Sequence, residues 1–375
     1  MVNQARVLEE FVRLVKIDSL TGEERQIADY LKRKLTELGL TVWEDTAAER
    51  LGTETGNLIA RLPGNIDIPT IFWGAHMDTV PGRGIEPVVR GEAVYSSGET
   101  ILGADDKAGI AAILEAIQIL KEEKINHGPI EVLLTVGEEE GLRGAKALDL
   151  NLLLAQFGFV LDSNGEIGSL VVQGPCQNLV EATIAGRAAH AGINPQDGIN
   201  AIQVAAKAIS AMRLGRIDDA TTANIGVIQG GEARNIVPDK VYLKGETRSL
   251  KRERLEEETR QMQFCLENTA REMGATVKVE IELLYPEFCL SENEVVVQIA
   301  QDAVQRLGRQ PSMDKSGGGS DANILNARGL RTINLGIAMR KVHTSEEHIF
   351  LRDLNLLPLF LVEISQAAVS VLGKV

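Results

Sequence analysis

The chain has 375 residues, 44% hydrophobic and 25% charged, the balance of an ordinary folded globular protein and enough for two domains rather than one. Its 53 acidic residues outnumber 39 basic ones, for a net charge of −14. That excess disfavours a phosphate-backbone partner, so nucleic-acid binding is not expected.

The N-terminus, MVNQARVLEE, lacks the basic-then-apolar pattern of a leader. Cys176, Cys265 and Cys289 have neither zinc-knot nor redox spacing, which suits a reducing compartment and gives the cytoplasm as the expected address. Helical spacing covers 3–16 and 22–38, the second with Thr21 as its expected cap. Short strands are predicted at 41–44 and 57–62. The run 71–76 then reads as a buried strand that ends abruptly in His76-Met77-Asp78. His76 and Asp78 are two apart, so on a strand they share one face, and a carboxylate there can hold the imidazole's tautomer.

From Lys107 to Lys121 the pattern is apolar nearly all round, which predicts a helix buried against a sheet. Asp105 and Asp106 stand at its start, where the helix dipole favours negative charge, so simple capping is one reading of them. A strand at 130–136 runs into Gly137-Glu138-Glu139-Glu140-Gly141, and a strand at 157–161 runs into Asp162. Alternating strands and helices predict an α/β fold, a mostly parallel sheet with helices on both faces. Ligands bind at the carboxyl edge of such sheets, so acids arriving there from several strands gain significance. An acidic run such as 138–140 is otherwise an ordinary solvated turn.

The pattern changes at 178–186, a strand, followed by a helix at 198–213 and strands at 222–229 and 240–249. A charged helix at 251–273 and a strand at 275–285 complete the order β-α-β-β-α-β, the ferredoxin-like arrangement. We therefore expect a discontinuous catalytic domain, 1–175 and 288–375, with a lid or dimerisation domain at 176–287 inserted into it. Sheet-and-helix patterning resumes with a helix at 292–307, the glycine-rich loop KSGGGSD at 315–321, a strand at 331–336 and a loop around His343. The last helix, 351–372, is apolar but interrupted by Pro358, Glu363 and Gln366, which favours a buried helix over a membrane span.

His76, Asp105, Glu139, Asp162 and His343 make a set of two imidazoles and three carboxylates, suited to zinc more than to magnesium or calcium. Two divalent ions carry four charges, which three carboxylates and one hydroxide would balance. If Asp105 bridged the ions, each would keep one imidazole and one further carboxylate, leaving room for a shared water with a pKa lowered to about 7. Glu138 could then take that water's proton and deliver it to a leaving amine.

In order, AHMDTV, GADDKAGIAAILEA, GEEEGLRGAK, VLDS, GRAAHAGINPQDGINAI, GGEARNIVPD, GETRS, SGGGSDANI and VHTSEEHI run over nearly the whole chain. This succession resembles the di-zinc exopeptidases, the family of peptidase T, glutamate carboxypeptidase, succinyl-diaminopimelate desuccinylase and aminoacylase. GADDKAG and GEEEGLRGAK look most like its peptidase T-like branch. The resemblance implies a zinc exopeptidase-like fold in which one zinc takes His76 and Asp162 and the other takes Glu139 and His343, with Asp105 between them. It implies that Asp78 orients His76 and that Glu138 is the general base. Here Gly137 precedes three glutamates where relatives have an acid before a pair. Gly141 then sets the register, and the alternative shifts base and ligand by one.

By the same resemblance, His190 of the lid reaches the scissile carbonyl oxygen, Asn235 and Arg248 hold the substrate, and the 317–319 glycines, Gly318 and Gly319 among them, offer backbone amides. A homodimer and a cis peptide between Asp105 and Asp106 are also implied. Each lid residue has a plainer reading. His190 could be structural at a strand end, Asn235 could shape a turn, and Arg248 could pair with Glu246. KSGGGSD lacks the ending of a phosphate-binding loop. His127 is expected at the surface, and His348 either at the surface or supporting the metal ligands. The expected activity is removal of the N-terminal residue from tripeptides, with cobalt or manganese as possible substitutes for zinc. A carboxypeptidase or N-acyl amino acid deacylase with the same chemistry is the nearest alternative, and a non-catalytic metal-binding protein a remote one.

Overall fold

The structure is a computed structural model, and it describes residues 2–373. Two compact units emerge. The larger comprises residues up to 173 together with 289–316 and 320 onward, and the inserted one 174–288 with 317–319.

The larger unit is built on a mixed sheet, ordered Thr41–Glu44, Leu58–Leu62, Ile130–Thr135, Ile71–His76, Phe157–Ser163, Arg331–Gly336, Ser169–Gly174. The four strands from Ile130–Thr135 to Arg331–Gly336 are parallel. Ile71–His76 and Ile130–Thr135 are buried at every residue, which explains why both read as largely apolar runs, the second interrupted by Glu131, which pairs with Arg61 at 2.6 Å. The flanks are antiparallel, Leu58–Leu62 against Ile130–Thr135 and Ser169–Gly174 against Arg331–Gly336.

The helix Ala104–Glu122 packs against Ile71–His76 and Phe157–Ser163, with Gln4–Val15 and Leu351–Leu372 beside it. A second cluster, including Ile59, Phe72, Leu133, Val160, Leu325 and Leu330, forms another part of the core. The helix Leu351–Leu372 is long and apolar enough to cross a membrane, but Leu354, Leu357, Phe360, Leu361 and Ile364 are spent on the core.

Several local expectations are corrected. Thr21 does not cap a helix. The helix is Arg25–Glu37, and the Thr21 hydroxyl donates to Asp78 at 2.6 Å. His127 is buried, its Nδ1 2.7 Å from the Gly128 carbonyl. A hairpin of Pro87–Arg90 and Ala93–Ser96, extended by His348–Phe350, was not anticipated.

In the inserted unit four long strands run in the order Thr221–Gly230, Lys240–Ser249, Cys176–Ala185, Thr276–Tyr285, every pair antiparallel. The helices Ala201–Ser210 and Arg252–Glu272 join them in one apolar core that includes Ile184, Val204, Ala208, Leu243, Met262 and Leu266. Only one face of each strand is needed there, so Lys240–Ser249 alternates between buried and open positions. The 317–319 glycines group with this unit rather than with the larger one. A Cβ on Gly319 would lie 2.3 Å from the Tyr285 ring, so only glycine fits that approach.

Candidate metal centre

Parallel strands deliver their carboxyl ends to one rim of the larger unit's sheet, and the candidate ligands lie along it. His76 closes Ile71–His76, Asp162 lies near the end of Phe157–Ser163, and Glu138 and Glu139 follow Ile130–Thr135 across Gly137. Gly137 has φ +60°, which lets the chain turn sharply out of the strand. Asp105 and Asp106 depart from helical dihedrals, and the peptide between them is cis.

Asp105 lies between the two imidazoles. Its Oδ1 is 3.1 Å from His76 Nε2, and its Oδ2 is 3.2 Å from His343 Nε2. His343 Nε2 is also 3.1 Å from Glu139 Oε1. Ligand atoms of His76, Asp105 and Glu139 all lie within 4.8 Å of one another, as do those of His76, Glu138 and Asp162. Glu140 is turned away, 3.4 Å from Arg143, so Glu139 is the acid that meets His343. Asn334 brackets the Asp162 backbone, accepting its N–H at 3.0 Å and donating to its carbonyl at 2.8 Å.

Asp78 is wholly buried. Its carboxylate accepts the Thr21 hydroxyl and the backbone N–H of Glu138 and Glu139, at 2.9 and 3.2 Å for the two amides. His76 Nδ1 is nearer to the Asp78 carbonyl, 2.9 Å, than to its carboxylate, 3.5 Å. The carbonyl therefore orients the ring most directly, while the carboxylate holds the Glu138–Glu139 turn.

The electrostatics are those of a site rich in negative charge. Burial and Asp162 push the Glu138 carboxyl well above its usual range, and burial and Asp105 do the same to Asp162. Burial would depress His76, but Asp105 and Asp78 outweigh it and hold the imidazole well above its ordinary value. His343 is pushed up to about 10 by hydrogen bonds to Asp105 and Glu139. Asp106 and Asp321 each keep one buried carboxylate oxygen without a hydrogen-bond partner. Crowded acids that raise one another's affinity for protons are the environment a bound cation reverses, and the imidazole–carboxylate donor set fits borderline divalent ions.

In the inserted unit, His190 and Asn235 come together. The pair Ala189–His190 runs antiparallel to Ile236–Val237, and Ala191 N–H donates to the Asn235 carbonyl at 2.9 Å. His190 Nδ1 accepts two backbone N–H groups, from Gly192 and Ile193, both at 3.1 Å, which leaves the ring proton on Nε2. Arg248 donates to Glu246 at 2.9 and 3.0 Å. Gly318 and Gly319 lie on the loop after Ser312–Lys315. In the larger unit, His348 stacks on Tyr95, ring centroids 4.7 Å apart.

Sequence reasoning missed several supporting residues. Asp321 is buried and accepts the Thr135 hydroxyl at 2.5 Å. Burial raises its pKa to about 6. Asp106 accepts the His76 N–H at 3.2 Å. Buried Glu24 accepts the Gly137 N–H at 3.0 Å, and Glu347 binds the turn before Asp105. The usable signal was proximity to a motif: Asp321 ends the glycine run, and Glu347 follows His343 by four.

A model of the peptidase family M20/M25/M40 matches residues 72–366. The protein YqjE of Bacillus subtilis strain 168 is 48% identical over 355 residues, covering 94% of this chain and 96% of that one. Among solved structures, aminopeptidase PepT from Bacillus cereus ATCC 10987 is 46% identical with a TM-score of 0.86, over 98% of this chain and 99% of that one. A tripeptidase from Staphylococcus aureus Mu50 is 44% identical with a TM-score of 0.93, over 99% of this chain and 100% of that one.

Proposed function

The chain belongs to peptidase family M20/M25/M40, and on that premise we propose that its rim of acids and imidazoles removes the N-terminal residue from tripeptides. It is a metallo-exopeptidase of the peptidase T-like branch, acting on amide bonds in short peptides. Similarity to PepT and to a tripeptidase over nearly the full chain supports the reaction. One observation carries the mechanism: Asp105 turns one oxygen to His76 and the other to His343.

In this reading His76 and Asp162 would hold one ion and Glu139 and His343 a second, and Asp105 would serve both. Zinc is the first choice, with cobalt or manganese as substitutes. Such ions supply a water of lowered pKa and polarise the substrate carbonyl. Glu138, buried beside His76 and Asp162, accepts the attacking water's proton and passes it to the leaving nitrogen. Asp78 keeps Glu138 and Glu139 pointing in different directions by fixing both of their amides.

The same proposal gives His190, its proton on Nε2, the task of donating to the developing oxyanion, a contribution of a few kcal/mol, roughly 3, for one donor. Asn235, Arg248 and the Gly318–Gly319 amides hold the peptide's backbone or carboxylate. The inserted unit serves as lid and as the interface of a homodimer, and the protein works in the cytoplasm.

Turnover of a free-amine tripeptide against its N-acetylated twin tests this. We expect hydrolysis of the free peptide only. Preference for the blocked peptide would transfer the chain to the deacylase alternative, and two bound ions without hydrolysis of either would leave a non-catalytic metal protein.

A further inference from the structure

We infer that Glu347 is a positioning residue that ties the loop carrying His343 to the turn carrying Asp105, and so governs how tightly the second cation is held. The inference rests on the two-ion reading above and adds a residue to it.

Glu347 is 1% exposed, yet it is an acid in a loop. Its Oε2 accepts the N–H groups of Leu102 and Gly103, both at 2.8 Å, and its Oε1 accepts the N–H of Asp105 at 3.1 Å. These three amides converge because Gly103 takes φ +72° and regular helix does not begin until after Asp106. Such a cluster of N–H groups is an anion nest, and here the chain fills it with its own carboxylate. The shared ligand Asp105 therefore gets its backbone position from a residue more than two hundred positions away.

The other end of the tether is the His343 loop. Backbone bonds between Arg340 and His348, 3.0 and 3.1 Å, close it at its base. Within it Lys341 and His343 have φ of 51° and 64°, and Ala338 just before it 63°, the left-handed region that side chains disfavour. A loop in that conformation needs something outside itself to keep its shape. The His343 side chain is 47% exposed, whereas that of His76 is 2% exposed and anchored in a central strand. The two imidazoles thus differ in support: the sheet holds one, and Glu347 holds the other.

The chemistry calls for an acid. Three donors meet two oxygens, and a carboxylate is acceptor-only. Glutamine keeps the shape but turns an NH2 toward at least one N–H. Aspartate is one methylene too short to span the same gap.

The test is zinc binding to metal-free protein, by competition with a chelator of known affinity, for wild type, Glu347→Gln, Glu347→Ala and the control Glu346→Gln. Glu346 is exposed and pairs with Lys341. Hydrogen exchange of segments 101–106 and 338–348 is followed in parallel. We expect two ions on wild type and on the control. In Glu347→Gln the ion held with His343, which loses both its loop support and the position of Asp105, should weaken by about 10–100-fold, and the ion held with His76, which loses only the latter, should weaken clearly less. Exchange should quicken in both segments without a matching fall in the thermal midpoint. Two unchanged affinities in both Glu347 variants would overturn the inference. So would equal weakening of both ions together with loss of global stability, which marks a purely structural acid. If wild type itself fails to bind two ions, the two-ion reading falls. The tether is then judged on exchange alone, and unchanged rates in both segments would overturn it as well.

Discussion

Buried acids are handled in opposite ways at the sheet rim and in the inserted unit. In the inserted unit Glu258 is 1% exposed, and one of its oxygens lies 2.5 Å from Arg213. Glu246, a third exposed, is also joined to a cation, Arg248 at 2.9 Å. At the rim Glu138, Asp162, Asp106 and Asp321 face other acids, and burial drives their pKa values upward. A fold tolerates buried charge when each charge has a partner, and breaking such a pair is costly. Leaving several acids without one makes sense where the partner comes from solution as metal. The rim is a place where stability has been given up for binding, and the inserted unit is not.

The largest expected effect breaks the chemistry at the rim. Glu138→Gln should cut turnover by about 10²–10⁴-fold, the usual share of a proton carrier, with metal content near wild type. Activity surviving the change would remove Glu138 from its assigned task. Next comes a break on the other side of the comparison. Leu266 is 0% exposed in the inserted unit's core. Leu266→Ala should cost about 2–5 kcal/mol in urea unfolding, and metal titration of the folded variant should match wild type. Metal affinity falling with it would mean that the two regions are not energetically separate.

How legible each region was follows from the same contrast. The strands at 71–76, 130–136 and 157–161 stood out because burial on both faces demands runs that are apolar almost throughout, and His76, Glu139 and Asp162 stood out as candidate ligands because they come where those runs stop. The flanking strands at 41–44 and 57–62 were read too, but their antiparallel pairing was not, since Leu58–Leu62 has the apolar pattern of a parallel strand and pairing direction leaves no trace in periodicity. The hairpin Pro87–Arg90 with Ala93–Ser96 was hidden by its half-open face. Glu24 and Glu347 lie in stretches, TGEER and TSEEH, whose composition suggests surface. Their burial is decided by amides of Gly137 and of Leu102, Gly103 and Asp105, far away in sequence, which no local window contains.

Glu24 sharpens the comparison through pH. Burial first, and Asp78 second, raise its pKa from 4.5 to about 7. A carboxyl raised in the folded state favours folding below its unfolded value, and that advantage is lost as pH climbs through 7, where a charge must be buried. Glu24→Gln keeps an acceptor for the Gly137 N–H and removes the charge. Metal-free Glu24→Gln should therefore exceed wild type by on the order of 2–3 kcal/mol in urea unfolding at pH 8, with the gap shrinking toward pH 5. An equal gap at both pH values would show that Glu24 does not titrate in this window.

The smallest effect is the most discriminating, because it separates the two tasks that meet in Asp78. If the carboxylate mainly orients His76, Asp78→Asn should weaken the ion held by His76 and Asp162. The distances argue otherwise: the ring has the Asp78 carbonyl at 2.9 Å and the carboxylate only at 3.5 Å, so it keeps its nearer partner in the variant. What the variant loses is an acceptor for the Glu138 and Glu139 amides, one of which would meet an NH2 group instead. The ion held by Glu139 and His343 should therefore weaken by about 10–100-fold, the range for an outer-shell partner, and the pH profile of turnover should shift with Glu138. Loss confined to the His76 ion in a zinc titration would restore the carboxylate as the ring's orienting group.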